Sequence, residues 1–178
     1  MIRTIAAVCL LAIAAAPAAF ADSKVELDAK VQEALTQFAK HTSAGAELAA
    51  KAHGVLVFPS VIKAGIGIGG EYGEGALQIG GKTVDYYSIA AASIGLQLGA
   101  QARTEIILLM TADALKNFRD SQGWKAGVDG SVALATLGAG GTIDTQTAQK
   151  PIIGFIFSNK GLMYNLTFEG SKITKIQK

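Results

Sequence analysis

Apolar residues near the start of the chain recur at a helical interval. Leu27, Val31, Leu35 and Phe38 stand three or four apart, one stripe of a helix whose remaining surface carries Lys24, Glu26, Asp28, Lys30, Glu33 and Lys40. Ser23 followed by Glu26 is the capping box that starts such a helix. A second helical run with Leu48, Ala49 and Ala52 continues past Ser43-Ala44-Gly45, where the pattern predicts a break or kink, and Gly54 is its expected stop. Because basic and acidic residues interleave on the polar face, the spacing predicts a helix that covers a sheet, with a membrane-surface helix as the alternative.

From Val55 onward the period changes to two. Val55 to Phe58 reads as a short buried strand stopped by Pro59, and Gly80-Gly81 as a tight hairpin. Asn159-Lys160-Gly161 and Glu169-Gly170-Ser171 read as two further turns. Residues 93–105 alternate, with Ser93, Gln97, Gln101, Arg103 and Glu105 on one face, and Trp124 to Thr136 alternates in the same way. Ile106 to Met110 and Ile152 to Phe157 are instead apolar on both faces, as central strands covered on both sides would be. One short helix interrupts the strands, capped by Thr111, with Leu115 and Phe118 on one face and Gly123 beyond its end. The expected fold is α+β: a strongly curved or barrel-like antiparallel sheet over about 54–178, an N-terminal amphipathic helical segment over about 23–53, and one short internal helix.

Ahead of the first helix, Arg3, the apolar run 5–16 and Ala19-Phe20-Ala21 have the form of a secretory signal peptide, residues 1–21. The run is too short to span a bilayer, which takes about 20 residues. Cleavage after Ala21 is expected to leave residues 22–178 as one domain, periplasmic or secreted. The single cysteine, Cys9, lies in the leader, so no disulfide framework is expected. The 16 basic and 14 acidic residues nearly cancel. Bulk charge therefore favours neither nucleic acid nor an anionic surface, and any such attraction must come from a local patch.

The segment KAGIGIGGEYGEG, 63–75, contains Gly65, Gly67 and Gly70 in the G-x-G-x-x-G spacing of a dinucleotide-phosphate loop. Such a loop needs a helix immediately behind it, to bring unpaired N–H groups to the phosphates. The residues that follow, EYGEGALQIGG, are too rich in glycine for a capped amphipathic helix, and no cofactor is expected. Gly65, Gly67 and Gly69 are instead two apart and share one face of a strand, opposite Ile66 and Ile68. Each glycine costs about 0.5–1 kcal/mol against alanine inside an element. Such a row therefore implies tight curvature, or close approach by another layer or a ligand.

Catalytic chemistry has little to draw on. His41 and His53 lie in the helical segment without an acid cluster beside them, no metal site is expected, and neither G-x-S-x-G nor H-E-x-x-H occurs. Arg103 and Glu105, two apart on a polar strand face, read as a surface ion pair. No catalytic residue is assigned and the chain is not expected to be an enzyme.

Four blocks carry a further signal: AHGVLVFPSVIKAGIGIGGEYGEGAL (52–77), YYSIAAASIGLQLGAQARTEIILLMT (86–111), ALKNFRDSQGWKAGVDGSVAL (114–134) and KPIIGFIFSNKGLMYNLTFEGSKI (150–173). Together, and in this order, they resemble the SYLF domain family over nearly all of the chain after the leader; the leader and the FEGSKI ending are similar to its bacterial secreted branch. The resemblance implies a non-enzymatic domain that associates with membrane lipids. Eukaryotic relatives use phosphoinositides and fungal ones are described as actin-binding, whereas for a secreted chain with a charge-balanced first helix the resemblance implies contact with envelope phospholipid, and actin is not expected as a partner.

Lipid contact requires cations for phosphate and apolar surface for acyl chains. Lys63 precedes the glycine row, and Lys116, Arg119 and Lys125 surround the short helix and Trp124, an indole suited to a head-group boundary. Lys160, Lys172, Lys175 and Lys178 add a basic bias at the C-terminus. Two readings compete with lipid binding. One is a protein-interaction or envelope-stress module. The other is a small outer-membrane β-barrel, for which 93–105 has the length of a crossing strand, about 9–11 residues, although 106–110 lacks the alternation.

Overall fold

The computed structural model describes residues 22–95, 100–158, 161–163 and 166–178. The expected leader, residues 96–99 of the long alternating run, and Asn159-Lys160 of one expected turn lie outside them. Helix α1 (Lys24–His41) begins as its sequence dictates: the Ser23 hydroxyl accepts the Glu26 N–H at 3.3 Å while the Glu26 carboxylate accepts the Ser23 N–H at 2.9 Å. The helical break falls at Thr42, one residue before the segment that predicted it. Thr42 ends α1 and also caps α2 (Ser43–Lys51), its hydroxyl accepting the Gly45 N–H at 2.9 Å.

Strand β1 (Gly54–Ile79) does not stop at Pro59. The pairing with β3 (Ala100–Leu109) shifts register between Phe58 and Val61, so Pro59 sits in a bulge, where the missing N–H costs no ladder bond. The irregularity also inverts the alternation: Leu56 and Phe58 point into one core, and after the bulge Val61 does. Beyond it β1 doubles back and pairs with β2 (Lys82–Gly95) through the Gly80-Gly81 hairpin, whose φ values of 58° and 76° suit a tight two-residue turn.

The glycine row lies at this reversal. A Cβ on Gly73 would stand 2.8 Å from the carbonyl oxygen of Ser60, and those on Gly69 and Gly75 would be closer still to the carbonyls of Ala64 and Val57. The close approach that the row implied is thus made by the strand's own two arms. Gly65 and Gly69 meet backbone to backbone across the bend, where Gly65 adopts φ 150°, and do not line one straight bare face. Gly67 pairs with Gly95. Residues 70–79 are strand, so no helix stands behind Gly70 to receive a phosphate.

Helix α3 (Ala112–Asp120) is capped by the Thr111 hydroxyl, which accepts the Ala114 N–H at 3.1 Å. The long strand expected from Trp124 to Thr136 is instead two short pieces, β4 (Trp124–Lys125) and β5 (Ala133–Leu134). A turn with Gly127 at φ 85° separates them, and the apparent alternation runs across that turn. Then come the single-turn α4 (Thr145–Ala148), β6 (Ile152–Ser158), β7 (Gly161–Leu162) and β8 (Lys172–Ile176). Among the described residues the sheet runs β4-β8-β2-β1-β3-β6-β5, with β7 on β6; β5 pairs with β6 in parallel and the other named strands pair antiparallel.

The result is α+β, with a strongly curled half-barrel sheet. On one face Leu27, Val31 and Phe38 of α1 pack against Val57, Ile106, Leu108 and Phe155. On the other, Phe58, Ile107, Leu109 and Ile156 pack against Phe118 of α3, Trp124 and Phe168. Double coverage is why 106–109 and 152–157 show no alternation. The helix α1 covers the sheet, and among the described residues the strand order ends in the short strands β4 and β5.

Candidate functional site

The pairing of β2 with β8 determines where the basic side chains meet. Tyr87 lies opposite Lys175, next to Asp85, and α3 crosses nearby with Ala114 and Phe118 turned into the core. That orientation leaves Lys116 and Arg119 outward. Arg119 Nη2 stands 3.2 Å from Asp85 Oδ2 and Lys175 Nζ 2.5 Å from Asp85 Oδ1, while Lys116 pairs with Asp120 one turn along α3. With His53 at the entry to β1 they line a cleft of about 390 Å³.

Three basic side chains thus face two carboxylates. The hydrogen bond that Lys116 donates to the Asp120 carboxylate, and then the charge of that carboxylate, raise the Lys116 pKa, so this ammonium persists at any physiological pH. The side chains of Lys116, Arg119 and Lys175 are 72%, 44% and 53% exposed. The Lys116–Asp120 pair, exposed on both sides, contributes little, so an arriving phosphate can replace Asp120 as the partner of Lys116, whereas Asp85, only 12% exposed, keeps Arg119 and Lys175 beside it. Arg119 supplies a planar fork and the lysines mobile point charges, a set suited to phosphate oxygens.

Two of the five sequence candidates, Lys116 and Arg119, are therefore brought together, and three are placed elsewhere. Trp124 is 2% exposed, with its ring 5.9 Å from that of Phe118. It belongs to the core and presents no indole to a head group, because its strand position faces inward opposite Ile173. Lys125 is exposed on the opposite side of β4, its N–H donating to Asp129 at 2.6 Å. Lys63 lies near the far, doubled-back end of β1, with Nζ 3.3 Å from Glu71.

At that far end lies the largest departure from the sequence reading. Arg103 and Glu105 form no surface pair. Arg103 Nε donates to Glu105 at 2.6 Å and its Nη2 donates to Glu71, while Glu105 is 1% exposed. Glu105 shares its strand face with Ile107 and Leu109, which point into the core. Burial pushes the Glu105 carboxyl up, against the pull of Arg103. Burial also works against the Arg103 cation, yet the two carboxylates hold its pKa above the ordinary value. The four charges balance, which points to a structural network.

Among the described residues no group of three His, Cys, Asp or Glu is arranged to hold a metal ion, and no helix is long and apolar enough to cross a membrane. A model of the Ysc84 family, described as Las17-binding protein actin regulator, matches residues 90–178, half of the chain. The chain belongs to this family, the SYLF domains. The matched SYLF segment includes α3 and Lys175 but not His53 or β1. A search of curated proteins gave no match. Lys175 and His53 were missed as site residues because they join Lys116 only through the β2–β8 pairing and the start of β1. The one available signal was the basic bias of the C-terminal strand.

Proposed function

We propose that this SYLF domain is a non-enzymatic binding protein of the cell envelope, carried across the inner membrane by the leader and contacting anionic phospholipid head groups through the α3 cleft. The observation that carries the reading is the convergence of Lys116, Arg119, Lys175 and His53 on one concave surface of a chain whose charge is otherwise balanced. Local clustering supplies what bulk charge does not. The family description names actin regulation, and we assign this chain no actin partner, because a chain carried to the envelope does not meet a cytoskeleton. The test is cosedimentation of the leader-free protein with vesicles at low salt. It binds vesicles containing phosphatidylglycerol and not those of phosphatidylcholine alone, and failure to sediment with either rejects the reading.

A further inference from the structure

Helix α1 and the sheet leave an open angle between them at the Pro59 bulge. Lys30, Glu33, Gln37 and His41 recur three or four residues apart, so they share one flank of α1, and they line a cavity of about 540 Å³ with Ser60 and Thr104. The Thr104 hydroxyl donates to the Pro59 carbonyl at 2.9 Å, which leaves its oxygen free to accept. Ala34 and Phe157, both buried, and Pro59 supply the apolar part of the lining. The charged part is one ammonium and one carboxylate. Lys30 is already paired with Asp22 at 2.6 Å, so an anion arriving here meets two carboxylates and one committed cation. Glu33 is exposed, and a single solvated carboxylate attracts a cation only weakly. What the cavity offers is neutral hydrogen-bonding capacity: among the described residues the side chains of Glu33, Gln37 and Ser60 have no hydrogen-bond partner, and Gln37 and Ser60 are half-buried.

We propose that this cavity binds a neutral glycan segment. Donors and acceptors are mixed along it: Lys30 donates, Glu33 and Thr104 accept, and Gln37 and Ser60 do both. A sugar hydroxyl likewise donates and accepts, and neighbouring hydroxyls on a ring can each meet one of the side chains that α1 presents a turn apart. The apolar lining suits the C–H faces of the same rings. The volume lies within the range of small-molecule sites, about 300–1,000 Å³. Glu33 is the one carboxylate in the lining, whereas glycoside hydrolysis ordinarily uses a pair, so the site holds a glycan without cleaving it. The cavity shares no residue with the α3 cleft, and neither site depends on the other.

The experiment titrates the isotope-labelled, leader-free protein with N,N′-diacetylchitobiose and, separately, with maltose, following amide shifts. At least one of the two binds saturably, with shifts centred on Glu33, Gln37, His41, Ser60 and Thr104 and with the same affinity at low and high salt. Gln37→Leu keeps a good helix former at a half-buried position and lowers that affinity about tenfold, the cost of leaving a bound hydroxyl without its partner. Vesicle binding through the α3 cleft is unchanged in this variant. No saturable shift at these residues with either sugar, or undiminished affinity in Gln37→Leu, overturns the assignment. Inorganic phosphate giving the same shifts where the sugars do not, or binding that salt abolishes, marks an anion site and equally overturns it. The vesicle result stands on its own in every case, and the shift map of the unaltered protein decides the matter even if Gln37→Leu does not fold.

Discussion

Glu105 carries a carboxylate at a position the surrounding core would fill with an apolar side chain, and Arg103 makes that tolerable. Replacing Arg103 with Met leaves the carboxylate unpaired and costs about 3–5 kcal/mol at neutral pH. The sign of the pH dependence follows from Glu105, whose carboxyl is raised above 4.5 in the fold. A carboxyl with a raised folded-state pKa binds more protons folded than unfolded, so its contribution to stability falls as pH rises through that interval. The loss in Arg103→Met is therefore largest at neutral pH and shrinks as the solution is acidified and Glu105 takes a proton. Urea unfolding of both proteins at neutral and mildly acidic pH checks this; an equal loss at both would show that Glu105 is not the charge left stranded.

Tyr86 works in the opposite part of the pH scale. Its hydroxyl donates to both Asp28 oxygens at 2.9 Å and so ties β2 to α1. Burial, followed by the bond to Asp28, pushes this phenol up to about 12. The stability it contributes is complete below pH 10 and is lost as pH rises toward about 12. Tyr86→Phe lowers stability by about 1.5–3 kcal/mol, the usual worth of a hydrogen bond to a charged group, and removes one late-titrating phenol from the tyrosinate absorbance curve. An unchanged titration curve would contradict the assignment.

Within the element β1, two glycines with similar sequence surroundings have opposite tolerances. Gly73→Ala drives a methyl into the Ser60 carbonyl 2.8 Å away and costs about 1–3 kcal/mol. Gly70→Ala meets no atom nearer than 3.7 Å and changes the unfolding midpoint little. Matched urea melts of the two variants separate a folded-back strand from a straight one, for which both would be neutral. This contrast was not legible in the sequence, because period-two alternation is the same whether a strand runs straight or returns on itself. The Pro59 bulge was hidden for a related reason, since proline ordinarily ends a run and only the β3 register shows that pairing resumes at Val61. The helices were legible because Ser23, Glu26 and Thr111 act on N–H groups within one turn of themselves. Glu105 was misread because the inward face of β3 is set by its neighbours, not by its own polarity pattern.

Across the whole molecule, the fold class followed from periodicity, whereas the site did so only in part. Lys116 and Arg119 share a short helix and could be grouped by spacing, but Lys175 reaches them through strand pairing between distant parts of the chain. Trp124 could not be told from an interfacial indole until Phe118 and Ile173 were seen to enclose it. The charge of the α3 cleft is thus a property of the assembled sheet. Near an anionic membrane each such cation contributes about 1 kcal/mol. The most direct test is the affinity of Lys116→Glu/Lys175→Glu for phosphatidylglycerol vesicles beside the unaltered protein, Arg119 being kept to hold Asp85. Affinity falling roughly tenfold or more in a variant that still unfolds in one cooperative transition is the expected result, and undiminished binding would contradict the assignment of lipid contact to this cleft.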